Sequence, residues 1–98
     1  MNNMLFAISQ YCSLHDIDPS FIQSLETEGL ITLTLNEEGG FIEETQLERL
    51  ELYTRWHHDL GINTEGIDAI RNLLEKLQQT QEEVRELRMR LRLYEQEG

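Results

Sequence analysis

From residue 66 to about residue 96 there is no proline, and apolar side chains fall at 70, 73, 77, 84, 87, 91 and 94. The steps alternate between three and four and are broken only at Thr80. This is the period of a helix that hides one narrow seam, with Ile70, Leu77, Val84 and Leu91 in one core position and Leu73, Thr80, Leu87 and Tyr94 in the other. A helix of about 30 residues is roughly 45 Å long. A chain of 98 residues with 39% apolar content builds one small core and buries roughly 60 to 65% of its unfolded surface. The distal half of the helix therefore extends beyond that core and needs a partner helix. Ile70, Leu73, Leu77, Val84, Leu87 and Leu91 are the expected dimerisation residues of a homodimer. Two segments follow: a head over 5–65 and a long coiled-coil helix over 66–96.

The head reads as short helices around a hairpin. Ser9 is suited to cap a first helix through "QYCSLH", with Tyr11, Cys12 and Leu14 inward. After a turn at Asp16 and Ile17, Asp18 caps a second helix whose first position is Pro19, where a missing N–H costs nothing. Phe21, Ile22 and Leu25 form its apolar stripe. Gly29 suits the left-handed residue after it, with Leu30 returning to Leu25 in a Schellman arrangement. "ITLTL" alternates, placing Ile31, Leu33 and Leu35 on one face; "NEEGG" turns the chain and "FI" pairs back. Thr45 and Glu48 form a capping box for a third helix, "QLERLELYTRWHHDL", ending at Gly61. Its inward stripe is Leu47, Leu50, Tyr53, His57 and Leu60, widened by Leu52 and Trp56. Asn63 caps the next helix, with Ile62 and Ile67 spaced as a hydrophobic staple.

Charge is distributed unevenly. Residues 1–48 contain nine acids and no Lys or Arg, while the remainder contains eight basic and ten acidic side chains, so the halves carry −9 and −2. An asymmetry of this kind concerns partners rather than fold. Catalytic chemistry has no foothold: there is no nucleophile–base spacing, no phosphate-cradling glycine loop and no paired metal-ligand motif. His57 and His58 are neighbours on a helix and diverge by about 100 degrees, so they do not share a metal. His57 is expected at the edge of the core with one hydrogen bond. His15 sits favourably at a helix C-terminus, and Cys12 behaves as a small buried hydrophobe. Trp56 is expected to pack on the core. No enzyme and no cofactor is expected. The start of the chain lacks a basic signal-peptide region, and no apolar run approaches the roughly 18 residues of a membrane span, so a cytoplasmic location without membrane contact is expected.

Taken together, "ISQYCSLHDIDPSFIQSLETEGLI", the hairpin and "LERLELYTRWHHDLGINTEGIDAIRNLLEKLQQ" resemble the MerR-type winged helix-turn-helix family, and within it the CbpM-like chaperone modulators. The resemblance runs from about Phe6 to Tyr94. It implies a mainly α fold: a winged helix-turn-helix with a small β-hairpin wing and a long C-terminal coiled-coil helix. It also implies binding to the J-domain of a DnaJ/CbpA-like co-chaperone, which blocks that protein's action on a DnaK-type chaperone.

DNA-binding MerR proteins typically carry arginines in the second helix and wing. Here those stretches are "SFIQSLETEG" and "NEEGGF", which neutralise no phosphate, so DNA is not the expected partner. The expected partner-binding residues are Asp16, Asp18, Gln23, Glu26, Glu28, Glu37, Glu38, Glu43 and Glu44, acting on a basic protein surface. The alternative is a MerR-like DNA-binding transcription regulator that meets phosphates through Arg49 and Arg55. In the tail, Glu86 and Arg90 support the helix internally, while Glu83–Arg88 and Arg90–Glu95 suit a parallel pair. Exposed pairs contribute about 0.5 kcal/mol each, so they leave the orientation undecided.

Overall fold

The computed structural model describes residues 4–97. Leu5–Ala7 forms β1, which pairs antiparallel with the later strand β3, Gly39–Glu43, in the register Leu5 to Glu43, Phe6 to Ile42 and Ala7 to Phe41. This strand was absent from the sequence-based expectation, and it changes how α1 begins. The helix α1, Ile8–His15, starts where the β1 pairing ends, with Ala7 extended at its N-cap and no capping side chain. Ser9, expected as the cap, is already in the first turn. Of the expected inward residues, Tyr11 and Cys12 are buried but Leu14 is 83% exposed. Asp16 closes α1 in the left-handed conformation, φ 52°, which a short polar side chain tolerates.

In α2, Pro19–Thr27, the caps are as expected. Asp18 Oδ1 accepts the Ser20 N–H at 2.9 Å. At the other end the Gly29 N–H donates to the Glu26 carbonyl and the Leu30 N–H to the Leu25 carbonyl, both at 2.9 Å, with Gly29 at φ 74°. That is the Schellman pair of bonds, and it brings Leu30 onto the buried Leu25.

"ITLTL" departs from expectation. Only its last residues extend into β2, Thr34–Asn36. The reason is a side chain that mimics a strand: Thr32 donates its N–H to Gln46 Oε1 at 2.7 Å, and Gln46 Nε2 donates to the Thr32 carbonyl at 3.1 Å. Ile31 is buried and Leu33 half-buried, whereas Leu35 is 74% exposed. The turn is tighter than "NEEGG", because Asn36 pairs with Gly39 and only Glu37 and Glu38 lie between. Asn36 Oδ1 accepts the Glu38 N–H at 2.8 Å, an Asx turn. The sheet order is β1-β3-β2, with β3 central.

α3, Glu44–Leu60, follows β3 with no intervening loop. Glu43 is its N-cap without a side-chain bond, and the Glu44 N–H donates to the Met4 carbonyl at 2.9 Å. The capping box expected of Thr45 and Glu48 therefore does not form; pairing to β1 fixes the helix start two residues earlier. Leu50 and Tyr53 are buried, and Leu47 and Trp56 half-buried. Leu60, expected inward, is 67% exposed, since the helix stops at the next residue, Gly61, in the left-handed conformation (φ 67°) and its last turn overshoots the core. Leu52 is exposed at 37%. Thr54, which no expectation singled out, is buried; its hydroxyl donates to the Leu50 carbonyl at 2.8 Å and accepts the Tyr11 hydroxyl at 2.9 Å.

α4, Thr64–Glu97, spans 34 residues, about 51 Å at the usual helical rise. Asn63 Oδ1 accepts the Gly66 N–H at 2.8 Å, and Ile62 packs on the core that contains the fully buried Ile67, as the staple requires. The chain divides into two units between Asp68 and Ala69. In the first unit α1, α2, β3 and α3 surround a core centred on Ile22, Leu25, Leu30, Ile42, Leu50 and Ile67. The second unit is uninterrupted helix from Ala69 to Glu97. Along it Leu73, Leu77, Val84, Leu87 and Leu91 are all exposed, by 40% to 64%, and Ile70 is half-buried. Arg90 and Glu86 form the expected internal pair at 2.7 Å.

Candidate partner-binding surface

The charge follows the division into units. Residues 1–68 hold 13 acidic and two basic side chains, a net −11, and residues 69–98 hold six of each. Among the described residues both ion pairs, Arg71–Glu75 and Arg90–Glu86, lie in α4, and none of the nine acids before Arg49 is in one. An acid without a cationic neighbour keeps its field directed at solvent, which steers a basic molecule inward.

The structure distributes the nine expected partner residues over several places. Asp16 and Asp18 lie in and beside the α1–α2 turn and line a cleft of about 460 Å³ with Ser20, Phe21, His57 and His58. The Asp18 carboxyl is held below the usual carboxylate range because it accepts the backbone N–H and side-chain hydroxyl bonds of Ser20. Glu26 and Glu28 are exposed at the end of α2, and Glu37 is exposed in the hairpin turn. Gln23 on α2 and Glu38 in the turn both line a second depression. Glu43 is half-buried by its strand pairing, and Glu44 is exposed at the start of α3. The surface is thus a set of acids on the helix-turn-helix and the hairpin rather than one cluster.

Two histidines and two aspartates around the first cleft raise the question of metal binding. Among the described residues no group of three or more His, Cys, Asp and Glu is placed to hold an ion. His57 is committed elsewhere: Nδ1 lies 2.8 Å from the Ile62 carbonyl, and its ring stacks on Phe21 with centroids 4.2 Å apart. It is the core-edge histidine with one hydrogen bond that the helical stripe suggested, although the residue as a whole is exposed. Cys12 is buried, and burial, followed by the nearby Asp18 charge, pushes its thiol pKa up, which keeps it protonated and unreactive at neutral pH. Tyr11 is raised in the same way, burial outweighing the Thr54 hydrogen bond. No described helix is long and apolar enough to cross a membrane.

The second depression escaped sequence reasoning. It lies between α1, α2 and the hairpin, has a volume of about 310 Å³, and is walled mainly by Ile8, Cys12, Ile22, Leu33, Leu35 and Phe41. The one signal for it was Leu35, an apolar residue in an alternating run whose partners Ile31 and Leu33 turn inward while it does not.

A short helix pair joined by a tight turn, followed by a hairpin whose sheet is completed by the strand leading into the first helix, defines a winged helix-turn-helix protein. The long C-terminal helix narrows the class further. A family model described as "MerR HTH family regulatory protein" matches residues 6–89, and the chain belongs to that family. No curated protein sequence and no solved structure matches the chain.

Proposed function

We propose that this protein is a chaperone modulator of the CbpM-like kind: a non-enzymatic cytoplasmic module that captures the J-domain of a DnaJ/CbpA-like co-chaperone and lowers its action on a DnaK-type chaperone. The observation that carries this reading is the stretch before Arg49, comprising the helix-turn-helix, the wing and the start of α3, which bears nine acids, no Lys or Arg and, among the described residues, no ion pair. A fold commonly associated with phosphate backbones here presents the charge of the phosphates themselves. A basic protein helix complements it by charge; duplex DNA is repelled. The exposed seam of α4, from Leu73 to Leu91, supports a homodimer formed through that helix.

Charge reversal tests the reading. Replacing Glu26, Glu28, Glu37 and Glu38 by lysine is expected to weaken binding to an isolated J-domain at least ten-fold at low salt and progressively less at high salt. Unchanged low-salt affinity defeats the electrostatic mechanism.

A second reading, a DNA-binding transcription regulator, draws on family membership and on Arg49 and Arg55, both exposed on α3. Titration of random duplex DNA separates the two, because a phosphate-binding protein gains affinity steeply as salt falls. The expected result for this chain is no measurable binding across the range. Truncation after Gln78 addresses an adaptor role for the tail: a head-domain site survives the deletion, weakened by the loss of bivalency.

A further inference from the structure

We infer that the apolar depression between α1, α2 and the hairpin is the anchor pocket for a large apolar side chain carried on a cationic segment of a protein partner. Only the choice of a J-domain as that partner rests on the reading above.

Three observations converge on the pocket. Its walls are apolar side chains from four elements of one unit, and Gly40 lines it without a side chain: a Cβ there would make ordinary contact with Leu35 Cδ2 at 3.5 Å and Ile8 Cγ1 at 4.0 Å, so a larger side chain would extend into the space between them. At about 310 Å³ it lies at the lower edge of the roughly 300–1,000 Å³ that holds a drug-sized ligand, so it suits an anchor side chain better than a cofactor. Leu35, 74% exposed on β2 at the edge of the sheet, is apolar where the chain's own core does not need it.

The charge around the pocket selects the occupant. Glu38 and Gln23 stand at its rim, Glu37 adjoins it in the turn, and the unit that contains it carries the whole net charge of −11. A segment that brings a leucine or phenylalanine into the pocket therefore gains by placing lysine or arginine beside it. Exposed ion pairs are screened by salt and contribute little, so they steer the encounter. A desolvated apolar anchor within an acidic rim is the pattern of an interface hot spot, and it supplies the salt-independent part of the affinity.

The test uses the full chain with two variants and two probes. Leu35→Ser removes an exposed wall, and Gly40→Val fills the floor at a position whose φ is not in the left-handed region. Both are expected to keep the wild-type thermal midpoint to within a few degrees. The first probe is a short amphipathic helical peptide of leucine and lysine, with serine-for-leucine and glutamate-for-lysine counterparts, followed by amide chemical shifts. The leucine–lysine peptide is expected to shift Cys12, Leu35 and Gly40, and each counterpart to bind at least ten-fold more weakly. Each variant is expected to lower its affinity about ten-fold, at low salt and at about 0.5 M salt alike, because apolar burial is not screened. Four results would each overturn the inference: shifts elsewhere or none, variants that bind like wild type, an uncharged lipophile that fills the pocket when the peptide does not, or shifts at these amides that grow with chain concentration alone.

The second probe is an isolated J-domain. If it binds wild type and Leu35→Ser equally, the pocket inference falls and the proposed function stands. If it binds neither while the peptide occupies the pocket, the proposed function falls and the pocket stands.

Discussion

Thr54 and Tyr11 are 43 residues apart and meet through one bond inside the core. Because the single hydroxyl proton of Thr54 goes to the Leu50 carbonyl, Tyr11 must be the donor to Thr54. Thr54→Val keeps the volume but leaves the buried Tyr11 hydroxyl without its acceptor, an expected cost of about 1–2 kcal/mol in urea unfolding. In the double variant Tyr11→Phe, Thr54→Val the cost is expected to be smaller than the sum of the single changes, a coupling that a double-mutant cycle reads directly. Asp18 gives a pH-dependent counterpart. Its folded pKa is depressed, so its contribution is complete above the ordinary unfolded value of about 3.9 and is lost as pH falls through the lower folded value. Asp18→Asn retains a capping side chain that does not titrate. The wild type is therefore expected to lose thermal stability relative to Asp18→Asn as pH is lowered below about 4. The Asp18 cap was legible from Asp-Pro alone, because it needs only local geometry. The Tyr11–Thr54 bond was not, since nothing in the spacing of either residue points to the other.

Among the elements, helix ends were predicted well where the chain is free to choose and badly where a strand competes. Asp18, Gly29, Gly61 and Asn63 all act as the sequence suggested. Ser9 and Thr45 do not, because β1 and β3 pair up to the residue before each helix and the strand ladder determines where the helix starts. β1 itself is three residues long, too short for alternation to reveal. The hairpin forms where the sequence places it but is shorter than the alternation implies, since a pattern of apolar residues contains no record that Gln46 will occupy the Thr32 backbone. Gly66 shows packing reversing a local preference. In an open helix alanine is favoured over glycine by about 1 kcal/mol. Here a Cβ would fall 2.8 Å from Ile62 Cγ2 and 3.1 Å from Asn63 Oδ1, so the staple or the cap must shift. Gly66→Ala is expected to lower the melting temperature, opposite in sign to helix propensity.

For the molecule as a whole, the sequence showed the apolar seam of the long helix and the acidic first half but not the pocket, which exists only once α1, α2 and the hairpin are brought together. Introducing aspartate at both Leu77 and Leu87 places charges in the seam without touching the first unit. On the proposed function, the expected outcome is a monomer by sedimentation, with binding of the head to a J-domain reduced only by lost bivalency. The partition of charge also fixes how the chain can be cut. Trypsin requires lysine or arginine; six of the eight lie beyond Asp68 on α4, and the other two, Arg49 and Arg55, lie within α3. Brief digestion is expected to trim the long helix stepwise from its far end, and mass spectrometry of the ladder would show whether a second helix shields Arg85, Arg88 and Arg92. No tryptic cut can separate α1, α2 and the hairpin from one another, so the acidic surface and its pocket leave the digest on a single fragment.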